Sequence, residues 1–208
     1  MTPGEVAGFA RAQYNAVGDT FFSDAELYSL VWMAQNELAR EANVIEQTYS
    51  TTAVASQQAY SYPSLTIKIK RVTYDGYALQ PITFREDDIL TAGDAATTQT
   101  GSPMYYAVFD NVIYLRPTPD AANALVIFGY SEAQEVSALS TLEVPTHFHQ
   151  NLADFLLWRM AIKDKNYTGA EYFHQTWKET VKLAKAWSKK RLRGDSNAHV
   201  VPEPGDFP

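Results

Sequence analysis

The sequence predicts an α+β fold: a bundle of about four helices, an inserted antiparallel β lobe of five or six strands, and an extended C-terminal arm. Three observations carry this prediction. Apolar residues recur at helical spacing towards both ends of the chain, they alternate with a period of two from about 48 to 131, and prolines crowd the last fourteen residues. The implied division assigns 1–47 and 145–193 to the bundle and 48–131 to the β lobe. Residues 132–144 form a connecting loop and 194–208 the arm.

The elements follow in order. Residues 2–17 read as a short helix, with Thr2 as cap, Pro3 in the first turn, and Val6, Phe9 and Ala10 on one face. Gly18-Asp19 closes it. A stronger helix is predicted over 23–46. Ser23 and Glu26 have the spacing of a capping box, in which hydroxyl and carboxylate satisfy otherwise orphan backbone N–H groups. Leu27, Leu30, Val31, Ala34, Leu38 and Ile45 then share one stripe.

Residues 48–55 are rich in β-branched types, and Tyr62-Pro63-Ser64 breaks the chain. Leu65, Ile67 and Ile69 alternate with Thr66, Lys68 and Lys70, the pattern of a half-buried strand. Asp75-Gly76 signals a hairpin into a strand at 77–84, and Asp110-Asn111 signals a second between 104–109 and 112–115. Residues 85–103 read as a long polar loop with one helical turn. The nearly continuous apolar run 124–130 is the last strand. Strands joined by short hairpins are antiparallel, which sets the expectation for the whole lobe.

Pro145 and Thr146 open the next helix. Its body, from Leu152 to Ile162, is apolar nearly all round, which predicts a position in the middle of the packing. The last helix is predicted over about 170–192, with Phe173, Trp177, Val181, Ala184 and Trp187 on one face. Lys178, Lys182, Lys185 and Lys189 line another, and Gly194 is a plausible stop. Beyond it, Pro202, Pro204 and Pro208 favour an extended arm.

Composition narrows the function. The 208 residues are 46% apolar and 20% charged, which excludes wholesale disorder. A net charge of −7 argues against a general polyanion binder. The charge is uneven: residues 151–208 carry +3 and residues 1–150 carry −10, which suggests two surfaces with different partners or head-to-tail association. With no cysteine there is no disulfide framework, thiol catalysis or cysteine zinc site. No secretion signal is visible, and the apolar runs 124–130 and 155–162 fall short of the roughly 20 residues needed to span a bilayer. A soluble chain is therefore expected. The Asn166-Tyr167-Thr168 sequon and the Arg193-Gly194-Asp195 triplet are read as coincidences of short motifs.

Catalytic motifs are absent: no Gly-x-Ser-x-Gly elbow, Walker loop, dinucleotide fingerprint or His-Glu-x-x-His. His147, His149, His174 and Asp154 could hold zinc only if they converged, and residues two apart on a helix point about 200° from one another. They are better read as capping and surface groups. Glu86-Asp87-Asp88 offers paired carboxylates, but acidic residues in a first helical turn are explained by the helix dipole. Tyr105, Tyr106, Tyr114 and Tyr130 are expected together on the sheet. With Arg116 the only basic residue at 100–131, an interface or core role suits them better than nucleobase stacking. No catalytic residue, metal or cofactor is expected. The lysine stripe at 178, 182, 185 and 189, with Tyr105 and Tyr106, supplies the candidate subunit interface. The stripe would meet an acidic surface, including that of a neighbouring copy.

The local text carries a resemblance. Leu30-Val31-Trp32-Met33-Ala34-Gln35-Asn36-Glu37-Leu38-Ala39 is followed by Tyr62-Pro63-Ser64 and Ile69-Lys70-Arg71-Val72-Thr73-Tyr74-Asp75-Gly76. Then come Gly101-Ser102-Pro103-Met104-Tyr105-Tyr106, Ile113-Tyr114-Leu115-Arg116-Pro117-Thr118-Pro119-Asp120 and Val144-Pro145-Thr146-His147-Phe148-His149. Over roughly residues 23–190 this order of turns and spacings resembles the head-to-tail adaptor (connector) proteins of tailed bacteriophages.

The resemblance implies a structural virion protein at the neck, assembled in the host cytoplasm. It would form a homo-oligomeric ring, expected to be twelvefold, between the portal and the tail tube or nozzle. Double-stranded DNA would pass through a central channel without sequence-specific binding, and no membrane is involved. Family arms dock on the portal, a role that would fall here to His199, Val200, Val201, Pro202, Pro204 and Phe207. The alternative is a carbohydrate- or receptor-binding virion module using the tyrosine-rich sheet. A hydrolase, which would need the histidines to converge, comes third.

Overall fold

Helix α1 (Pro3–Gln13) begins at a complete capping box. The Glu5 amide donates to the Thr2 hydroxyl at 3.2 Å, and the Thr2 amide donates to the Glu5 carboxylate at 2.8 Å. These contacts come from a computed structural model that describes residues 1–86 and 100–196, with backbone alone over 192–196. The chain divides into two units, one formed by Met1–Ile45 with the chain from Ala133 onward, the other by Glu46–Glu132.

Helix α1 ends at Gln13, with Tyr14 as its C-cap, earlier than the expected 17. Helix α2 (Asp24–Ala42) is capped by the Ser23 hydroxyl, which accepts from the Glu26 amide at 3.3 Å. The return half of the expected capping box is replaced: the Glu26 carboxylate takes Lys163 at 2.5 Å. Asn43, in the left-handed region at φ 51°, caps the helix, which ends at Ala42, four residues before the expected 46. Leu27, Val31, Ala34 and Leu38 are all fully buried on the predicted stripe.

A 3₁₀ turn (Thr146–Phe148) leads into α3 (Leu152–Lys163), and α4 (Tyr167–Ser196) follows. Gly194 does not stop α4, which runs on to Ser196. Paired residues give the directions. Tyr14 meets Asp164 and the Met1 amino group meets His149, so α1 and α3 run parallel. Lys163 meets Glu26, while Trp177 and Lys185 meet Glu37 and Glu41, so α2 and α4 run together against α3. Helix α3 packs against α1, α2 and α4, as its all-round apolar sequence requires. Among the described residues no helix is long and apolar enough to cross a membrane.

The second unit spreads its strands over three small sheets. The first has the order β1 (Glu46–Thr52), β10 (Ala124–Ser131), β3 (Thr66–Tyr74), β4 (Tyr77–Ala78), all antiparallel. The second has the order β2 (Ala59–Ser61), β8 (Val112–Arg116), β7 (Tyr105–Phe109), β5 (Gln80–Pro81). A short third sheet pairs β6 (Thr100–Gly101) with β9 (Thr118–Pro119). Both predicted hairpin turns are present, with Asp75, Gly76, Asp110 and Asn111 at positive φ as primed turns require.

Two pairings, β5 with β7 and β6 with β9, are parallel, against the all-antiparallel expectation. Neither is closed by a hairpin, so the short-turn argument does not reach them. The expected strand at 77–84 is also divided. Its first part pairs with β3 in one sheet, its second with β7 in the other, and a helical turn begins at 84. Leu79, at the switch, is buried with Val72, Tyr74, Tyr106, Ile113 and Leu125 in the unit's core.

Candidate functional site

The helical unit presents two flanks of α4 on either side of its buried face. Trp177 and Ala184 are 1% and 0% exposed and mark that face. One flank carries the lysine stripe. There Lys182 pairs with Glu179 at 2.6 Å and Lys185 pairs with Glu41 of α2. Lys178 and Lys189 are exposed and have no ion-pair partner among the described residues. Among the described residues, those two of the four predicted lysines hold a charge with no ion pair inside the chain.

The other flank of α4 borders a groove. Helices α1 and α4 both pack on α3 yet barely meet each other, so the face of α3 between them stays open. Clefts of about 170 and 340 Å³ there share Gln13 of α1 and Asp154 of α3. A third, of about 300 Å³, continues past Asn151 to Leu183 and Trp187. Asp154 is half-buried, and burial pushes its carboxyl above the usual carboxylate range. It has no hydrogen-bond or ion-pair partner among the described residues.

The histidines do not converge. His147 packs its ring against Phe148 and Trp187, at centroid distances of 4.1 and 5.0 Å. His149 is buried against the Val144 carbonyl oxygen, and His174 stacks on Trp158 at 4.2 Å and 10°. Among the described residues no group of three or more such side chains could hold a metal ion. Glu86 accepts from the Thr83 amide and hydroxyl at 2.7 and 2.9 Å, and these bonds pull its carboxyl below the usual range. That is helix capping, while Asp87 and Asp88 lie outside the described residues.

With no constellation for chemistry among these groups, the surfaces are what the chain has to offer, and the comparison with families agrees. The family model described as SU10 adaptor protein matches residues 1–200. The chain belongs to that family. It is thus a phage head-to-tail adaptor, as the turn-and-spacing resemblance indicated. No curated protein matches the chain.

In this adaptor the tyrosines occupy different environments. Tyr106 is 6% exposed and belongs to the β core, with burial raising its hydroxyl pKa, whereas Tyr105 is half-exposed beside it. Tyr130 is buried in the first sheet, whereas Tyr105, Tyr106 and Tyr114 belong to the second, so the expected cluster of four is split. The second sheet does expose aromatic surface: Phe84 stacks on Phe109 at 4.9 Å and meets Tyr114 edge-on. The arm residues His199, Val200, Val201, Pro202, Pro204 and Phe207 lie outside the described residues. The adaptor's sequence gave Asp154 only as a metal ligand that needed the histidines. Its position in an open groove depends on which helices fail to meet, and no local pattern encodes that.

Proposed function

We propose that this adaptor forms a ring, twelvefold as the family resemblance implies, between the portal and the tail tube or nozzle, with a central channel for double-stranded DNA. The match of residues 1–200 to the adaptor family is the observation that carries the reading. The physics of the chain supports it. A DNA conduit must not hold its cargo, and the −10 balance of residues 1–150 repels phosphate rather than recruiting it. The lysine flank is directed at protein surfaces, since two of its four members already engage carboxylates of the helical unit.

Residues 197–208 serve as the portal-docking arm in this reading. Three prolines in this stretch argue by sequence against a helix, and in this reading the arm takes its contacts from the portal, which ties ring formation to the presence of a portal. The test is cryo-electron microscopy of the protein mixed with the portal of the same particle, beside a chain ending at Ser196. That truncation spares α4, which runs to Ser196. A ring on the portal that is lost with the truncation supports the proposal. A full-length chain that ignores the portal and stays monomeric refutes it, and sugar-array binding by the aromatic sheet becomes the reading to pursue.

A further inference from the structure

The open groove of the helical unit holds a half-buried carboxylate, Asp154, whose charge is favoured by the N-terminal end of α3, in whose first turn it lies, but which no cationic side chain meets among the described residues. Charged groups withdrawn from water are almost always paired, because desolvation costs several kcal/mol unless a counter-charge or hydrogen bonds offset it. Asp154 has neither among the described residues. The groove around it mixes polar groups, Gln13, Gln150 and Asn151, with exposed apolar ones, Tyr172 at 69% and Leu183 at 63% accessible. An acidic group lining an open cleft, with polar and apolar neighbours to hold an incoming side chain, suits a cationic side chain from outside.

Helix geometry shows where such a cation is found. At 100° per residue, the groove-lining positions Thr176, Thr180, Leu183 and Trp187 lie about 160° round α4 from the centre of the lysine stripe. Groove and stripe therefore occupy opposite flanks of one helix. Two different surfaces that complement each other make a heterologous contact, which closes into a ring when the rotation allows. An isologous pair would set lysines against lysines.

We infer that the groove is the acceptor half of a head-to-tail contact between copies, in which Lys178 of the next copy sets its ammonium group against the Asp154 carboxylate. The inference rests on the ring reading above. Rotation about an axis along the helices leaves every residue at its own height. Lys178 is two residues beyond Thr176, about 3 Å along α4, and Thr176 lines the same cleft as Asp154. Of the stripe lysines, Lys182 and Lys185 are engaged at home and Lys189 lies about 16 Å further along the helix. Lys178 is the one both available and level with the carboxylate.

Charge reversal tests this in a way that folding alone cannot mimic. Asp154→Lys and Lys178→Asp are purified separately, checked for native circular dichroism, and scored for rings on the portal by negative-stain microscopy. Each variant alone should lose rings, since one presents lysine to lysine and the other aspartate to aspartate. Mixed in equal amounts they should regain rings, because every contact in an alternating ring then joins opposite charges. Lys178 is exposed, so Lys178→Asp keeps its fold even if Asp154→Lys does not. In that event Lys178→Asp alone is read, and it should lose rings.

Three results overturn the inference. They are wild-type rings matched by Lys178→Asp rings, wild-type rings matched by rings of a folded Asp154→Lys, and two folded single variants that stay dispersed when mixed. All three leave the ring reading standing. A wild-type chain that forms no ring on the portal removes the ring reading itself, and with it the contact.

Discussion

His149 donates its Nε2 proton to the carbonyl oxygen of Val144 at 2.8 Å, and this contact fixes the tautomer of a ring that is 6% exposed. The other nitrogen, Nδ1, then accepts from the Met1 amino group at 3.1 Å. Burial holds the imidazole below its usual pKa, and the charges of Met1 and His147 act in the same direction against the Val144 bond.

Stability should therefore depend on pH between the folded pKa and the ordinary value of about 6.5. In that window the unfolded chain binds a proton that the folded chain refuses, so stability falls as pH falls, by at most about 1.4 kcal/mol per unit. Above it neither state is protonated and the effect vanishes. Thermal melts of wild type and His149→Gln from pH 7.5 to 5 should converge in slope only above about 6.5. Parallel curves throughout would show that this ring does not set the dependence.

Trp177 joins two helices through one side chain. Its ring is 1% exposed and meets Phe155 edge-on at 5.3 Å, and its indole N–H donates to the Glu37 carboxylate at 2.8 Å. Trp177→Phe keeps most of the apolar bulk and loses the bond to a charged acceptor, at a cost of about 1.5–3 kcal/mol. Glu37 is half-buried and regains some water, which favours the lower end. Trp177→Ala adds a cavity and should cost about 3–5 kcal/mol. Urea unfolding checks both, with an unchanged slope showing that the native state, not the denatured one, is affected.

Gly129 marks the closest backbone approach in the first sheet. A Cβ there would stand 2.6 Å from the Lys68 carbonyl oxygen, where the β10–β3 register shifts between Phe128 and Gly129. Gly129→Ala must push two strands apart and should cost about 1–3 kcal/mol. Gly8 is the control. It lies in α1 with nothing within 4 Å of the added carbon, so Gly8→Ala should stabilise by up to about 1 kcal/mol. Amide exchange in β3 and β10 should accelerate for the first variant alone.

What could be read from the sequence follows the range of each signal. The α2 stripe and the Asp75-Gly76 and Asp110-Asn111 hairpins were legible because a helix period and a primed turn are set within a few residues. The sheet switch at 77–81 and the two parallel pairings were not, since their partners arrive through distant chain. Gln35 and Asn36, polar and outside the predicted α2 stripe, are 0% and 3% exposed. Their carbonyl oxygens accept from the amides of Glu143 and Ala133 at 2.8 and 2.7 Å, meeting the needs of irregular backbone from another part of the chain. The lysine stripe was legible as a stripe. That Lys182 and Lys185 are partly neutralised at home, leaving Lys178 and Lys189 among the described residues, depends on the fold.

Asp154 separates folding from assembly. Its folded carboxyl pKa is raised, so the folded chain favours the protonated form, and at neutral pH the buried charge is a cost that the unfolded chain does not bear. Asp154→Asn should make the isolated chain more stable, by under about 1 kcal/mol because the group is only half-buried and partly screened. The gain should shrink as pH falls towards the folded pKa, where the wild-type carboxyl takes up its proton. The same variant lacks the charge that faces Lys178 of the next copy, so ring formation on the portal should weaken. Melting and ring counts from one preparation check both signs. A chain that melts higher and assembles less places the role of the charge at the contact between copies. Loss of stability and assembly together would place it in the packing of the single chain instead.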